Sequence, residues 1–454
     1  MTKPPSLIYG VNDRPPFSTL VVLAIQHIFL MSSTLVLPVV LIGELGGSFD
    51  EVRSVVALTM IACGLGTILQ AIRWKGIGSG FLCPNLCGPN FFAASVSAAW
   101  LGGLPLMRGM TIAAGLIEAL LAGVIGRLRA LFPSEITGLV VLMVASSLVP
   151  LGASKFLGIN YVGEPISQLN VFVAATTLLI MVGINVWGKG KIRLYSVLTG
   201  MVVGYVLSIV SGLTTPGQFD EVRAASWIAM PMLAGWTDIS FRWSLLPTFT
   251  IVSICGALKS MGNLTMCEMV NDADWKEPDM KRIGGGLMAD SICVAASGLL
   301  GGMASDTSAS NVSLSRASGA TSRYIGIAAG LLFILLGFSP KLSALLSIMP
   351  MPVMGAILIF VTSFMLMSGL QVIVASKPDE RRTFIIGIAL IFGLSLDTMP
   401  QLYSGVYPWL RPFFDSPLTL STVLAVLLNQ LLRLGERRDP PAVAATAPTV
   451  ASAE

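Results

Sequence analysis

The sequence is poor in charge. Only 11% of its 454 residues are Asp, Glu, Lys or Arg, whereas charged residues make up about a quarter of an average soluble domain. Hydrophobic residues account for 54% and the mean hydropathy is +0.80. So few charges could not cover the surface of a soluble fold of this size. The composition therefore predicts a polytopic membrane protein embedded in the lipid bilayer.

Catalytic and metal-binding side chains are scarce as well. His27 is the only histidine, and the six cysteines lie in apolar stretches without a disulfide framework or a zinc pattern. We therefore expect neither an enzyme nor a bound metal or cofactor. The net charge of +4 follows from basic residues retained at the cytoplasmic face, so it implies no nucleic-acid partner.

Long apolar runs recur along the chain. A helical span needs about 20 apolar residues, and fourteen runs approach this length. They are 18–41, 53–72, 80–101, 106–126, 134–152, 168–188, 194–213, 244–269, 283–303, 305–319, 322–339, 342–370, 383–400 and 416–433. The sequence thus predicts an all-α polytopic membrane protein with fourteen transmembrane segments.

Lysine and arginine are distributed unevenly between the loops. Most of the 28 lie at the termini and in the even-numbered loops, which predicts that both the N and the C terminus are cytoplasmic. We expect an inner or plasma membrane protein divided as follows: 1–17 cytoplasmic segment, 18–213 first half, 214–243 external connector, 244–433 second half, 434–454 disordered cytoplasmic tail rich in Ala and Pro.

Two of the apolar segments are interrupted by residues that disfavour a continuous helix. They are "GSGFLCPNLCGPNFFAASV" at 78–96 and "GGMASDTSASNVSLSRASG" at 301–319, in the third and tenth segments. Irregular backbone at membrane depth persists only where protein or a wet cavity satisfies it. Matching breaks in two halves indicate inverted repeats with a central site, here two repeats of seven segments. The alternative is a pair of ordinary kinked helices.

Polar residues inside the segments are few, and such residues are candidates for function because burying them in a membrane is costly. They include Gln26, His27, Ser32, Ser33 and Thr34 in the first segment, Lys259 and Asn263 in the eighth, Asp290 in the ninth, Asp306, Ser310, Asn311 and Arg316 in the tenth, and Asp397 in the thirteenth. Lys259 and Asn263 are four residues apart and share a helix face. We expect the first, third, eighth and tenth segments to converge on one cavity.

Several stretches, taken in order, resemble one known family. They are "YGVNDRPPF" followed by Gln26 and His27, "FPSEITG" before the fifth segment, "GGGLMADSI" in the ninth, "SNVSLSRASGATSRYIG" in the tenth and eleventh, and "IMPMPVMGAILIFVTSFMLMSGL" in the twelfth. Together they resemble the nucleobase/ascorbate transporters, also called the nucleobase cation symporter-2 or xanthine/uracil permease family.

The resemblance implies an architecture and a mode of transport. A core domain, here 18–126 and 244–339, holds the substrate, and a gate domain, here 134–213 and 342–433, completes the pathway. Short strands in broken helices 3 and 10 meet at the site. The family moves core against gate, usually in symport with H⁺ or Na⁺, and often forms a homodimer through the gate domain.

The resemblance also places site residues, and here the chain departs from the family. In the eighth segment a Glu that binds the base ring is replaced by Lys259, with Asn263 at the polar position four residues on. In the tenth, Ser310 replaces the usual Gln or Glu, and Asn311 is retained. Phe91 corresponds to an aromatic that stacks on a planar substrate, and Thr34 to a site residue of the first segment.

Replacing a carboxylate by lysine exchanges a hydrogen-bond acceptor for a donor. A nucleobase-like or small anionic solute, such as urate, another oxidised purine or an ascorbate-like acid, fits better than a neutral base. Lys259 has other interpretations: an ion pair with Asp306, a proton carrier, or a fixed cation that replaces the coupling ion in an anion exchanger or uncoupled facilitator. Gln26, His27, Asp290 and Asp306 have coupling or structural roles in each case.

Overall fold

The computed structural model describes residues 2–5, 7–124, 133–159, 163–188, 192, 195–214, 216–231, 237–375, 379–407, 411–414 and 416–432. The predicted tail, 434–454, lies outside the described residues. Within them the chain is helical, with one pair of three-residue strands.

The first half contains α1 (Phe17–Ser32), α2 (Val36–Glu44), α3 (Phe49–Ala71), β1 (Asn85–Cys87), α4 (Pro89–Ala122), α5 (Ser134–Leu157), α6 (Gln168–Trp187) and α7 (Ser196–Val210). The connector includes α8 (Pro216–Ala224). The second half contains α9 (Leu246–Asn271), α10 (Met280–Leu300), β2 (Ser305–Thr307), α11 (Ala309–Ser318), α12 (Arg323–Gly337), α13 (Pro340–Ser347), α14 (Met351–Ala375), α15 (Glu380–Thr398), α16 (Arg411–Phe414) and α17 (Pro417–Leu431).

Eight helical stretches of the described chain are long and apolar enough to cross a membrane, or nine if the bent pair α12 and α13 is one span. The prediction of an all-α membrane protein is confirmed. Each of the fourteen predicted segments overlaps a described helix, while the number of crossings stays a prediction.

The third and fourth predicted segments share the 34 residues of α4. A straight helix of that length would measure about 50 Å, which exceeds the hydrocarbon thickness of about 30 Å. The helix is interrupted by non-helical backbone at Gly102 and Gly103, where Gly103 has φ +68°. Glycine adopts this left-handed conformation without steric cost, so the interruption falls where the sequence separates the two segments.

The breaks in the third and tenth segments form the strands β1 and β2, as predicted. They pair antiparallel, with Leu86 opposite Asp306 at the centre, and all six residues are buried. Two further hydrogen bonds extend the pair, from Gly88 N to Ala304 O and from Ser308 N to Pro84 O. The extended backbone therefore has protein partners instead of lipid. An antiparallel pair is what an inverted repeat requires, and the repeat itself stays a prediction.

The helices pack in two groups. In one, α3 packs on α10 and α12, and α4 packs on α9 and α10; in the other, α5 packs on α14, α14 on α6, and α15 on α17. Glycines allow close crossing in both groups. A Cβ on Gly64 would lie 2.7 Å from the carbonyl oxygen of Gly330, and one on Gly138 would lie 2.8 Å from that of Gly369. The groups follow the predicted core and gate, whose boundaries stay predictions.

The N-terminal segment lies against the second half of the chain. Ile8 and Tyr9 donate backbone hydrogen bonds to Gly319 O, and Thr321 N donates to Tyr9 O. These bonds tie the segment to the junction between α11 and α12, so the beginning of the chain is part of the packed structure. Its cytoplasmic location stays a prediction.

Candidate substrate site at the paired strands

An ion pair lies at the centre of the site. Lys259 Nζ, from α9, donates to Asp306 Oδ2 of β2 over 2.6 Å, and Asn90 Nδ2, at the start of α4, donates to the same oxygen over 2.5 Å. The Asp306 side chain is 1% exposed and that of Lys259 is 28% exposed. A buried carboxylate needs such partners. The ion pair, one of the alternatives for Lys259, is formed in this structure.

Asp290, on α10, braces the strands. Its Oδ1 accepts from Asn85 Nδ2 of β1 over 2.6 Å, and its Oδ2 accepts from Ser260 Oγ of α9 over 2.5 Å. The Ser260 hydroxyl also lies 2.7 Å from Thr307 Oγ1 of β2. Both carboxyl oxygens therefore have donors, and the network links two helices to both strands.

Asn263 lies one turn beyond Lys259 on the same face of α9, as the spacing predicts. Its amide nitrogen donates to Thr307 Oγ1 over 2.9 Å and to Thr307 O over 3.2 Å. The side chain is buried. Asn263 thus supports the strand on which Asp306 lies, and Lys259 is the partly exposed member of this face.

The start of α11 is hydrogen-bonded to α1. Ser308 is the N-cap, its Oγ accepting from Asn311 N over 3.2 Å and from Asn311 Nδ2 over 2.8 Å. The Asn311 Oδ1 lies 2.7 Å from His27 Nδ1. Since the carbonyl oxygen accepts, this ring nitrogen carries the hydrogen. His27 is buried, so it joins the first segment to the tenth.

Hydrogen-bond donors dominate the exposed part of the site. Ser310 is exposed at the second position of α11, in the first turn of a helix, where backbone N–H groups have no intrahelical partner and the dipole is positive. The Lys259 ammonium has three hydrogens, one of which is donated to Asp306. Ammonium, hydroxyl and helix N-terminus together favour a solute rich in carbonyl or anionic oxygens.

Three predicted site residues take no part in the hydrogen-bond network described above. The Phe91 ring is fully buried, so no face is open for stacking in this structure. Thr34 Oγ1 donates to Met31 O one turn before it in the chain. Gln26 Oε1 is buried and has no hydrogen-bond partner among the described residues. These residues shape the core around α1 and α4.

Glu118, on α4, is a buried residue that the sequence-based candidates omit. Its side chain lies beside α9, where a Cβ on Gly256 would be 2.8 Å from Glu118 Oε1 and 3.6 Å from the Phe91 ring. A single acid in the fourth apolar segment is the signal that could have identified it. Asn90, which contacts Asp306, was also omitted, although it lies within the first interrupted stretch.

A basic cavity of about 170 Å³ lies apart from the strands, beside the N-terminal segment. Its lining includes Lys3, Asp13, Arg73, Arg282 and Arg323. A hydrogen bond from Lys3, together with one from Gly10 N–H, holds the pKa of Asp13 below its usual value. Basic residues near this end of the helices agree with the predicted cytoplasmic face.

The chain matches one protein-family model and is similar in sequence to known permeases. The model of the Xan_ur_permease permease family matches residues 18–402. A putative purine permease of Clostridium perfringens is 29% identical over 434 residues, 94% of this chain and 93% of that protein. The xanthine permease XanP of Escherichia coli K12 is 25% identical over 445 residues, 94% of this chain and 95% of that protein.

A solved structure extends the comparison to the fold. The transmembrane domain of the cyanobacterial bicarbonate transporter BicA matches with a TM-score of 0.58 at 11% identity, covering 92% of this chain and 99% of that chain. At this identity the likeness shows the fold alone. The fold is therefore that of a membrane transporter with the same arrangement of helices.

Proposed function

The chain belongs to the Xan_ur_permease permease family, and on this premise we propose that it is a secondary active transporter of a nucleobase-like or small anionic solute, best an oxidised purine such as urate. The protein is an integral membrane transporter and not an enzyme. The relatives named as purine and xanthine permeases support a purine as the cargo.

The Lys259–Asp306 pair carries this proposal. The ammonium lies where the resembling family has a base-binding Glu, and it is 28% exposed beside the donor-rich start of α11. A neutral base needs acceptors for its ring N–H groups, and at position 259 it would meet an ammonium that can only donate. The carbonyl oxygens of an oxidised purine, or the charge of its anion, match Lys259 and Ser310 instead.

The ion pair also supports transport by movement of the core against the gate. Moving a net charge through a membrane is costly, and pairing Lys259 with Asp306 neutralises both groups. In our proposal the core (18–126 and 244–339) moves against the gate (134–213 and 342–433), with H⁺ or Na⁺ in symport. Both termini are cytoplasmic, and the protein dimerises through the gate domain.

Ligand-induced stabilisation tests the substrate class. Thermal unfolding of the purified protein is measured with urate, xanthine, uracil, ascorbate and a small carboxylate. At a concentration of 100 Kd, a ligand stabilises the native state by about 2.7 kcal/mol. We expect stabilisation by urate or xanthine, lost in Lys259→Ala and retained in the control Lys341→Ala, whose ammonium lies over the Trp227 ring.

Because Lys259→Ala leaves Asp306 without its cation, the neutral double variant Lys259→Met/Asp306→Asn is compared with it. Loss of urate binding in both variants supports a direct role for the ammonium. Strong stabilisation by uracil that persists in Lys259→Ala contradicts the anion proposal. We expect Lys259→Glu to shift preference toward neutral bases, since a carboxylate accepts from ring N–H groups.

The same ion pair favours a second candidate, an anion exchanger or uncoupled facilitator. The ammonium bound to Asp306 would then be a fixed cation that takes the place of a coupling ion. Solute flux through this protein would be independent of imposed H⁺ and Na⁺ gradients. Uptake into proteoliposomes with each gradient in turn separates the two candidates.

A further inference from the structure

Glu118 is a buried acid that the site described above does not use. Its side chain is 3% exposed, and Oε2 has no hydrogen-bond partner among the described residues. The other oxygen, Oε1, lies 2.8 Å from the position of a Cβ on Gly256 of α9. A side chain at position 256 would therefore clash with the Glu118 carboxyl, which fits here because residue 256 is glycine. Gly256 lies one turn before Lys259 on α9.

The charged groups around Glu118 do not neutralise it. Among the described residues near the paired strands, the three carboxyls of Glu118, Asp290 and Asp306 are buried, and the one ammonium beside them, that of Lys259, is 28% exposed. Asp290 on α10 and Asp306 on β2 lie close enough to act on Glu118 electrostatically. The Lys259 ammonium, on α9, donates a hydrogen bond to Asp306 and not to Glu118.

The three carboxyls differ in what holds them. Asp306 has the ammonium and an amide donor, both on Oδ2, while its Oδ1 has no partner among the described residues. Asp290 has an amide and a hydroxyl donor, one on each oxygen. Glu118 Oε2 has none of these, and an ionised carboxylate buried without donor or counter-ion is strongly disfavoured. Of the three, Glu118 is the group that needs a proton to be stable in this conformation.

We propose that Glu118 binds the coupling proton, which makes this transporter a proton symporter. The inference rests on the proposed function. An ionised Glu118 repels an anionic solute bound at Lys259 and Ser310 in the same low-dielectric core, and protonation removes the repulsion. Solute and proton therefore favour each other's binding, by equal factors because linkage is reciprocal, and a singly charged anion crosses with its proton without moving net charge.

Infrared spectroscopy tests the proton site without a substrate. Purified wild-type protein is compared with Glu118→Gln for the carbonyl stretch of a protonated carboxylic acid, which is separate from the carboxylate bands. We expect Glu118→Gln to lose one such band. The control Asp220→Asn removes an exposed carboxylate that is paired with Arg223, and it should leave the band in place. A spectrum unchanged by Glu118→Gln overturns the proposal.

Transport in proteoliposomes tests the coupling. Radiolabelled urate and xanthine are the probes, the membrane potential is clamped at zero, and two quantities are measured: exchange at equal pH and accumulation driven by a pH gradient. With one proton per solute, a gradient of one pH unit supports about tenfold accumulation. We expect wild type and Asp220→Asn to accumulate, whereas Glu118→Gln exchanges within about threefold of wild type and does not accumulate.

Accumulation by Glu118→Gln equal to that of wild type overturns the proposal, as does wild-type accumulation driven by Na⁺ alone. Absence of exchange of either probe by wild type overturns the proposed function, and the infrared result still decides the proton site.

The variant Gly256→Ala tests the geometry around Glu118. Its Cβ would crowd Oε1, so we expect impaired accumulation that Gly256→Ala/Glu118→Asp partly restores, because Asp is shorter and remains titratable.

Discussion

The two broken segments share a backbone arrangement and differ in chemistry. Each consists of a three-residue strand followed by a helix start, and the strands pair antiparallel. At the centre of the pair, Leu86 of β1 lies opposite Asp306 of β2. The helix after β1 has Gly88 at its N-cap without a side-chain cap, whereas the helix after β2 is capped by Ser308.

Two segments with the same backbone arrangement can therefore contribute different side chains to one site. The first break is apolar and fully buried, and it supplies packing and two amides, Asn85 and Asn90, that hold carboxylates of the second half. The second break supplies the charge, the cap and the exposed Ser310. In the proposed site a solute would therefore meet polar groups mainly from the second half, and the first half would position them.

The largest expected effect comes from making the centre of β2 neutral, as β1 is. In Asp306→Asn the largely buried Lys259 ammonium loses its counter-ion. We expect a loss of about 3 kcal/mol in the free energy of unfolding, measured by thermal unfolding in detergent. Asp220→Asn is the control, because its pair with Arg223 is 70% and 78% exposed and such pairs contribute little.

Adding Lys259→Met to Asp306→Asn should recover part of the lost stability, because it removes the unpaired charge. An Asp306→Asn protein as stable as wild type would show that the ion pair contributes nothing. In that case the two strands would be energetically equivalent despite their different centres.

A medium effect is expected at the caps. Ser308→Ala removes the acceptor for Asn311 N and Nδ2, and the loss of an N-cap costs about 1 kcal/mol. We expect faster hydrogen–deuterium exchange at the start of α11, with α4 unchanged. The converse change, Gly88→Ser, should not supply a cap to α4, because its Cβ would lie 3.0 Å from Asp306 Cβ. Exchange in α11 that stays at the wild-type rate would contradict the capping role.

The smallest effect on stability is expected at Ser310. Its side chain is exposed, so Ser310→Ala should change the free energy of unfolding by less than about 0.5 kcal/mol. Ser310→Gln adds an amide that both donates and accepts, and we expect xanthine or uracil to bind about threefold to tenfold more tightly. Isothermal titration measures this, and unchanged affinity in both variants would place Ser310 outside the substrate site.

Much of the architecture could be predicted because membrane insertion makes strong demands on local sequence. Apolar runs gave the helices, and the Gly- and Pro-containing stretches gave the positions of β1 and β2, since helix breaks at membrane depth need partners. The shared face of Lys259 and Asn263 followed from helical spacing. The pair between Lys259 and Asp306 was foreseen as one alternative, because a buried lysine requires an anion nearby.

Other features were outside the reach of local patterns. The burial of the Phe91 ring, the contact of Asn90 with Asp306 and the position of Glu118 beside Gly256 each depend on how α4 packs against α9 and β2. A single Glu barely changes the hydropathy of an apolar segment. Only its surroundings distinguish a carboxyl with donors from one without them.

The sequence by itself predicted a helical membrane protein with two broken segments, and its resemblance to a transporter family implied an acid at the position where this chain has Lys259. The helices and the breaks depend on composition and short-range spacing, which lipid constrains directly. The tertiary structure decided that Lys259 is paired with Asp306, that Asp290 braces the strands, and that Glu118 has no donor on Oε2 among the described residues. Charge pairing inside a membrane depends on distances between helices far apart in the chain, and only packing sets those distances.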